Sequence, residues 1–246
     1  MTKRAAVLAS TFATAVALCP AATPATPSIS HLGSGSDEVW ILRPPGKVVS
    51  IVVFGHGWST PFPSGFGAWI RHLREQGNLV VYPRYRTDAY ETTNSALVAF
   101  RHGVIAALRN IGPTSVPVVA VGKSFGGSAV FYYAAEATQW GVRAPAAVLS
   151  IFPALPIGAL PATPLPRRTY VQILVGDRDT TAGSAGANAF WRWLGPHPSD
   201  RKRYLVIHSR PGFVANHDSP QRTDPLTRSV FWARLDRLIA RVRHAT

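Results

Sequence analysis

The sequence has almost no cysteine and few charged residues. Cys19 is the one cysteine among 246 residues, which excludes an intramolecular disulfide bond and a cysteine-based zinc cluster. Charged residues make up only 15% of the chain and hydrophobic residues 46%. This balance excludes an intrinsically disordered chain, because such chains lack the apolar surface that offsets the entropy lost on ordering. The length suits one large domain or two small ones, and we find neither an internal repeat nor a second domain.

Acidic residues are scarce, with 12 Asp and Glu against 26 Lys and Arg, so the formal net charge is +14. Such a charge favours binding to a polyanionic partner. Nucleic acid is not expected, since the sequence has no zinc-finger spacing, no RNP-like aromatic strand and no basic zipper. We expect a solvated basic face on the last predicted helix, with peripheral contact to an anionic envelope as the alternative. Its arginines are Arg234, Arg237, Arg241 and Arg243.

The first 21 residues have the layout of a secretory signal peptide. Lys3 and Arg4 form a short positive region, and an apolar, uncharged run follows over residues 5–18 before small residues and Pro20. The run is shorter than the roughly 18–20 residues that span a bilayer. We therefore expect an exported protein, secreted or periplasmic.

The predicted organisation has three parts. Residues 1–21 form the signal peptide, residues 22–35, rich in Thr, Pro, Ser and Gly, form a flexible leader, and residues 36–246 form one folded domain.

Apolar runs alternate with amphipathic stretches along the folded part. The sequence VVSIVVF over residues 48–54 suits a strand covered on both faces, and Leu97, Phe100, Val104 and Leu108 have helical spacing. This alternation predicts an α/β fold with a mostly parallel central sheet flanked by helices. Strands are predicted at residues 38–42, 48–54, 79–82, 116–121, 146–152, 170–175 and 203–207, and helices at 67–76, 92–110, 126–136, 185–194 and 226–242.

A G-x-S-x-G motif follows one predicted strand and precedes a predicted helix. It is formed by Gly122, Ser124 and Gly126 within VGKSFGGSAV. A serine on a sharp strand-to-helix turn needs strained backbone angles, and the flanking glycines relieve the crowding there. The helix N-terminus then offers backbone N–H groups to a developing oxyanion. We therefore predict that Ser124 is a nucleophile.

A serine nucleophile needs a base and an acid that orients the base. In this kind of sheet the acid and then the histidine follow the serine along the chain. The segment QILVGDRDT supplies Asp177 and Asp179, and we favour Asp179 because it lies past the strand end. The alternatives for the base are His208 and His217, and we favour His217 because it lies in the loop beyond its strand.

The segment FGHGWST supplies the predicted oxyanion hole. A His-Gly turn after a strand can hold the next N–H toward the serine, so the donors would be the N–H groups of Trp58 and Phe125. His56 either holds this loop or contacts substrate. Arg84 and Arg86 follow the strand at residues 79–82, and we expect them to contact substrate and favour negative charge or phosphate.

These motifs resemble those of the α/β-hydrolase family. The matching segments are HGW at 56–58, GKSFGG at 122–127, GDRD at 176–179 and NHD at 216–218, and the resemblance covers roughly residues 38–245. It implies a sheet of eight or slightly fewer strands with Ser124, His217 and Asp179 as a triad at its carboxyl edge. It further implies hydrolysis of esters or related acyl compounds through an acyl-serine intermediate, with no cofactor and no metal.

The sequence departs from the family pattern at two places. Lys123 stands where many members carry histidine and is expected to alter the charge of the cleft. Residues 152–170 leave room for only a short loop where many relatives insert a cap, so we expect an open groove. The groove resembles those of secreted esterases and of polyester- or lipid-active hydrolases.

Three functions are open at this point. The first is a serine hydrolase of carboxylic esters, small or in lipids and polyesters. The second is an acyltransferase or amidase that uses the same triad, and the third is a non-catalytic basic protein that binds an envelope or polyanion.

Overall fold

A single eight-stranded sheet forms the centre of the protein. The computed structural model describes residue 2, residues 28–87 and residues 91–244. The strands are β1 (Ile29–Leu32), β2 (Val39–Leu42), β3 (Ser50–Gly55), β4 (Asn78–Pro83), β5 (Val118–Lys123), β6 (Ala147–Ile151), β7 (Tyr170–Gly176) and β8 (Lys202–Ile207). Their order in the sheet is β1-β2-β4-β3-β5-β6-β7-β8. β1 and β2 run antiparallel to their neighbours, and β3 to β8 are parallel, which confirms the predicted sheet.

Helices cover both faces of the sheet. They are α1 (Gly67–Glu75), α2 (Thr93–Ile111), α3 (Phe125–Glu136), α4 (Ala185–Trp193), α5 (Pro225–Thr227) and α6 (Ala233–Arg243). Apolar side chains of α2, α3 and α4 pack on one face, and those of α1 and α6 pack on the other. In β3, Ile51 and Val53 enter the first core, whereas Val52 and Phe54 enter the second. The unbroken apolar run of this strand follows from its burial on both faces.

The flexible leader predicted over residues 22–35 is wrong at its C-terminal end, because Ile29–Leu32 form β1. This strand pairs with β2 at the edge of the sheet, in a register that places Ile29 opposite Leu42. None of the four side chains of β1 is fully buried. Its sequence therefore lacks the alternation of apolar and polar residues that identifies a half-buried strand. Apart from residue 2, the predicted signal peptide and residues 22–27 lie outside the described residues.

The single helix predicted over residues 226–242 is interrupted. A π-helical segment, Arg228–Trp232, separates α5 from α6. Val230, Phe231 and Trp232 of this segment are buried in succession. Within the ranges that the structure describes, no helix has both the length and the hydropathy that crossing a membrane requires.

The segment between β6 and β7 contains neither helix nor strand, which confirms the absence of a large cap. It is held against α3 by side chains of that helix. The Tyr132 hydroxyl donates to the carbonyls of Ile157 and Ala159 at 3.0 and 2.9 Å, and the Ser128 hydroxyl donates to that of Ala154 at 2.7 Å. The carboxyl ends of β3, β5, β7 and β8 therefore meet at an edge that no helical domain covers.

Candidate active site

Ser124 lies on the turn between β5 and α3 with φ 57° and ψ −122°. A positive φ is strained for a residue other than glycine, so neighbouring contacts must hold it. Its N–H donates to the Ile151 carbonyl at 2.9 Å, and its own carbonyl accepts from the N–H groups of Ser128 and Ala154 at 3.2 and 3.1 Å. These bonds fix the serine between β6 and the first turn of α3.

The flanking glycines are required by close backbone approach. A Cβ at Gly122 would overlap the carbonyl of Gly126, and a Cβ at Gly126 would overlap the backbone of Gly55 at the end of β3. The helix that carries the serine therefore packs directly on the neighbouring strand. This contact explains in steric terms why the motif places glycine on both sides of the serine.

The structure brings Ser124, His217 and Asp179 into one hydrogen-bonded chain. His217 Nε2 lies 3.0 Å from Ser124 Oγ, and His217 Nδ1 lies 2.9 Å from Asp179 Oδ2. Because an ionised carboxylate only accepts hydrogen bonds, Nδ1 carries the proton and Nε2 is left to accept from the serine hydroxyl. The imidazole is thus oriented as a base toward Ser124.

The Asp179 carboxyl is held from both sides. Its Oδ1 accepts from the N–H groups of Thr181 and Ala182 at 2.9 and 3.0 Å, and its Oδ2 faces His217. Burial alone raises the pKa of this carboxyl, but the hydrogen bonds from His217 and the two backbone groups outweigh it and bring the pKa below its ordinary value. Asp179 therefore remains ionised beside the imidazole.

The two alternative residues form a separate pair. Asp177 accepts from the N–H and the hydroxyl of Ser209 at 2.9 and 2.6 Å, and its Oδ2 lies 3.6 Å from Nδ1 of the exposed His208. In the described part of the chain no hydrogen bond joins either residue to Ser124. Asp177 instead fixes the start of the loop that leads to His217.

The burial of His56 disagrees with its predicted contact with substrate and suits its other predicted role, holding the loop. The side chain is fully buried, with its ring stacked on Tyr85 at 3.8 Å and facing Tyr82 at 5.3 Å. Burial, with a smaller contribution from the positive charges of Arg86 and Arg84, lowers the pKa of His56 to about 3. A neutral His56 Nδ1–H donates to the Gly57 carbonyl at 2.6 Å, which is a loop-holding contact.

One predicted oxyanion donor is the N–H of Trp58, which belongs to the peptide bond between Gly57 and Trp58. The carbonyl of Gly57 in the same peptide bond is held by hydrogen bonds. That oxygen accepts from His56 Nδ1, and also from the N–H and the hydroxyl of Thr60 at 3.1 and 3.2 Å. The N–H of Gly126 donates to the His56 carbonyl at 3.0 Å, which joins this loop to the start of α3, where Phe125 lies. The segments that carry both predicted donors are therefore locked together before any substrate binds.

Thr60 is not among the site residues predicted from the sequence, and its hydrogen bonds to the Gly57 carbonyl lead to a prediction. Thr60→Val removes one donor to the Gly57 carbonyl, and we expect kcat on an activated ester to fall roughly tenfold to a hundredfold because the oxyanion peptide is less well oriented. KM should change by less than about twofold, since substrate binding uses other contacts. The exposed neighbour Ser59 supplies the control, because Ser59→Ala should behave as the native protein. Unchanged kcat in Thr60→Val would contradict this role.

Arg84 and Arg86 already have protein partners. Arg84 lies 3.0 Å from Glu38 and covers the ring of Phe62, and Arg86 donates to the Trp58 carbonyl at 2.7 Å and covers the indole ring of Trp58. Both side chains therefore stabilise the part of the protein that lies beside the oxyanion loop. Contact of either guanidinium group with substrate stays a prediction.

Lys123 is buried next to the serine turn, and its effect on the charge of the cleft stays a prediction. Its side chain is only 4% exposed. Elsewhere in the site, no group of three or more side chains suited to a metal ion occurs among the described residues.

The comparisons with known proteins concern the fold. No protein-family model matches the chain, and no curated protein matches it by sequence. Esterase B from Lactobacillus rhamnosis superposes with a TM-score of 0.65 at 14% identity, over 90% of this chain and 89% of that one. Thermogutta terrifontis esterase 2, phosphoramylated by tabun, gives 0.66 at 15% identity over 88% and 94%. TT1662 from Thermus thermophilus gives 0.59 at 17% identity over 86% and 98%.

These likenesses extend over most of each chain. At such low identity they establish architecture alone. The protein has the α/β-hydrolase fold, as its motifs predicted.

Proposed function

We propose that the protein is a serine hydrolase that cleaves carboxylic esters through an acyl-serine intermediate. The observation that carries the proposal is the hydrogen-bonded chain from Ser124 through His217 to Asp179. It places a nucleophile, a base and an orienting acid in the arrangement that acyl transfer requires.

The reaction follows from this geometry. Ser124 Oγ attacks the ester carbonyl while His217 Nε2 takes its proton, and Asp179 stabilises the resulting imidazolium. The N–H groups of Trp58 and Phe125 stabilise the negative oxygen of the tetrahedral intermediate. His217 then protonates the leaving alcohol, and the same steps with water release the acid and restore the serine.

The surroundings of the serine favour apolar acyl or alcohol groups in an open groove. Leu155 is 65% exposed and follows Ala154, whose N–H bonds to the Ser124 carbonyl. Val214, 45% exposed, precedes His217 by three residues. Exposed apolar side chains next to a reactive centre that no cap covers suit lipid or polyester chains as well as small esters.

The Esterase B neighbour has been solved inhibited by a tributyrin phosphonate, and the Thermogutta esterase 2 neighbour phosphorylated by paraoxon. By analogy, labelling with a fluorophosphonate tests the proposal directly. We expect the native protein to be labelled and Ser124→Ala to remain unlabelled at the same concentration. An unlabelled native protein would overturn the proposal and favour the basic envelope-binding alternative.

A panel of p-nitrophenyl esters of increasing acyl length then measures substrate preference. Adding a competing alcohol to the same assay separates the two catalytic alternatives. Free acid as the main product supports a hydrolase, whereas a new ester as the main product would identify an acyltransferase.

We further propose that the protein acts outside the cytoplasm. The support is the charge and hydropathy layout of residues 1–21. Intact-mass measurement of protein recovered from the culture medium or periplasm should show loss of this segment, and a retained N-terminus would contradict export by a cleaved signal.

A further inference from the structure

Lys123 is a buried cation immediately before the nucleophile. It is the last residue of β5, and its side chain is 4% exposed. Burying a charged group is unfavourable unless other groups compensate for the lost hydration. The polar partners of Lys123 therefore indicate what its position in the site does.

The lysine amine is bound to the loop that carries the base. Nζ donates to Gln221 Oε1 at 3.2 Å and lies 4.0 Å from Asp218 Oδ1. Asp218 directly follows His217, and Gln221 ends the short 3₁₀ turn Ser219–Gln221. The amine therefore fixes the histidine loop on the side of the serine turn.

The stem of Lys123 contacts the oxyanion loop. An ideal Cβ at Gly57 would lie 3.1 Å from Lys123 Cδ and 3.4 Å from Nζ, so the lysine chain fills the space next to this glycine. Through one side chain, Lys123 thus connects the serine turn, the loop at Gly57 and the loop at His217.

Burial and the nearby charges act on the Lys123 amine in opposite directions. Burial lowers the pKa of the Lys123 amine below its ordinary value, and the charges of Asp218 and Asp179 partly offset this effect. The two carboxylates are therefore the groups that favour a charged amine at this position.

We propose that Lys123 is a positioning residue that holds the His217 loop in register with Ser124. The proposal rests on the proposed serine hydrolase function. It predicts that Lys123 acts through its hydrogen bond to Gln221, so that loss of either side chain displaces the base from the serine.

Lys123→Met removes the hydrogen bond to Gln221 with little change in length. We expect kcat on a p-nitrophenyl ester to fall at least about tenfold, with KM changed less than about twofold, because the base is less well placed. Lys123→Arg should restore part of the lost kcat, because its guanidinium group can still donate to Gln221.

Gln221→Leu removes the same connection and keeps the lysine. We expect it to lower kcat several-fold, with KM changed less than about twofold. Lys47→Met is the matched control for loss of a lysine, because Lys47 precedes β3 and lies near the amino end of that strand, whereas Lys123 lies at the carboxyl end of β5. Native kcat in Gln221→Leu would overturn the positioning role, even if Lys123→Met failed to fold.

Failure of the proposed function would appear separately, as a native protein that neither reacts with a fluorophosphonate nor cleaves esters.

Discussion

His217→Gln is expected to lower kcat on an activated ester by a factor on the order of 10⁶, to a rate that binding and the oxyanion groups alone sustain. The reason is the contact of 3.0 Å between His217 Nε2 and Ser124 Oγ, which is the route proposed for loss of the serine proton. Glutamine cannot take that proton at neutral pH. Stopped-flow and long-time ester assays on purified protein measure the difference.

Asp179→Asn should lower kcat by about 10⁴-fold, because an amide donor facing Nδ1 favours the wrong imidazole tautomer. Asp177 and His208 supply matched controls, since they repeat the same residue types a few positions away. Asp177→Asn and His208→Gln should each retain kcat within a few-fold of the native value, because they pair with each other and with Ser209. If Asp177→Asn were as inactive as Asp179→Asn, the assignment of the acid would be wrong.

Gly126→Ala is expected to destabilise the fold by more than about 4 kcal/mol, which is large among single substitutions. The added methyl group would overlap the backbone of Gly55 and the carbonyl of His56, and backbone cannot move aside as a side chain can. The N–H of Gly126 also donates to that carbonyl, so separating the two segments breaks a buried hydrogen bond. Urea denaturation followed by circular dichroism measures the loss.

Gly67→Ala is the control for this substitution. Gly67 begins α1 with φ −53°, and an added Cβ there meets nothing within 4 Å. Alanine should therefore stabilise the protein by roughly 0.5–1 kcal/mol, since it restricts the unfolded chain and suits a helix. Equal stability of the two alanine variants would contradict the close approach of α3 to β3.

The sequence was most informative where burial is complete. β3 and β5 have apolar residues at almost every position because helices cover both of their faces. Both strands could therefore be recognised in the sequence, and the motifs could be placed at their carboxyl ends. β1 was not predicted, because a partly exposed edge strand is specified by its pairing with β2 and not by its own hydropathy pattern. The π-helical turn at Arg228–Trp232 was not predicted either, since its cause is tertiary packing.

The same division applies to the site. Ser124, Asp179 and His217 could be proposed from spacing, because each follows an apolar strand in the expected order. The contacts of Lys123 with Gln221 and Gly57 join residues 98 and 66 positions apart in the chain, so no local pattern could indicate them. Burial of His56 between two tyrosines likewise depends on β4 lying beside β3.

The unstructured connection between β6 and β7 makes the protein suited to redesign. Its two ends are fixed, because Ile151 and Tyr170 belong to neighbouring strands, and between them α3 holds it mainly through Tyr132 and Ser128. Loop-closure entropy rises slowly with length, so a longer segment can replace it at a modest loss of stability. The part of this connection beyond Ala154, whose N–H bonds to the Ser124 carbonyl, can thus be exchanged while the strand ends beside Ser124, Asp179 and His217 keep their places.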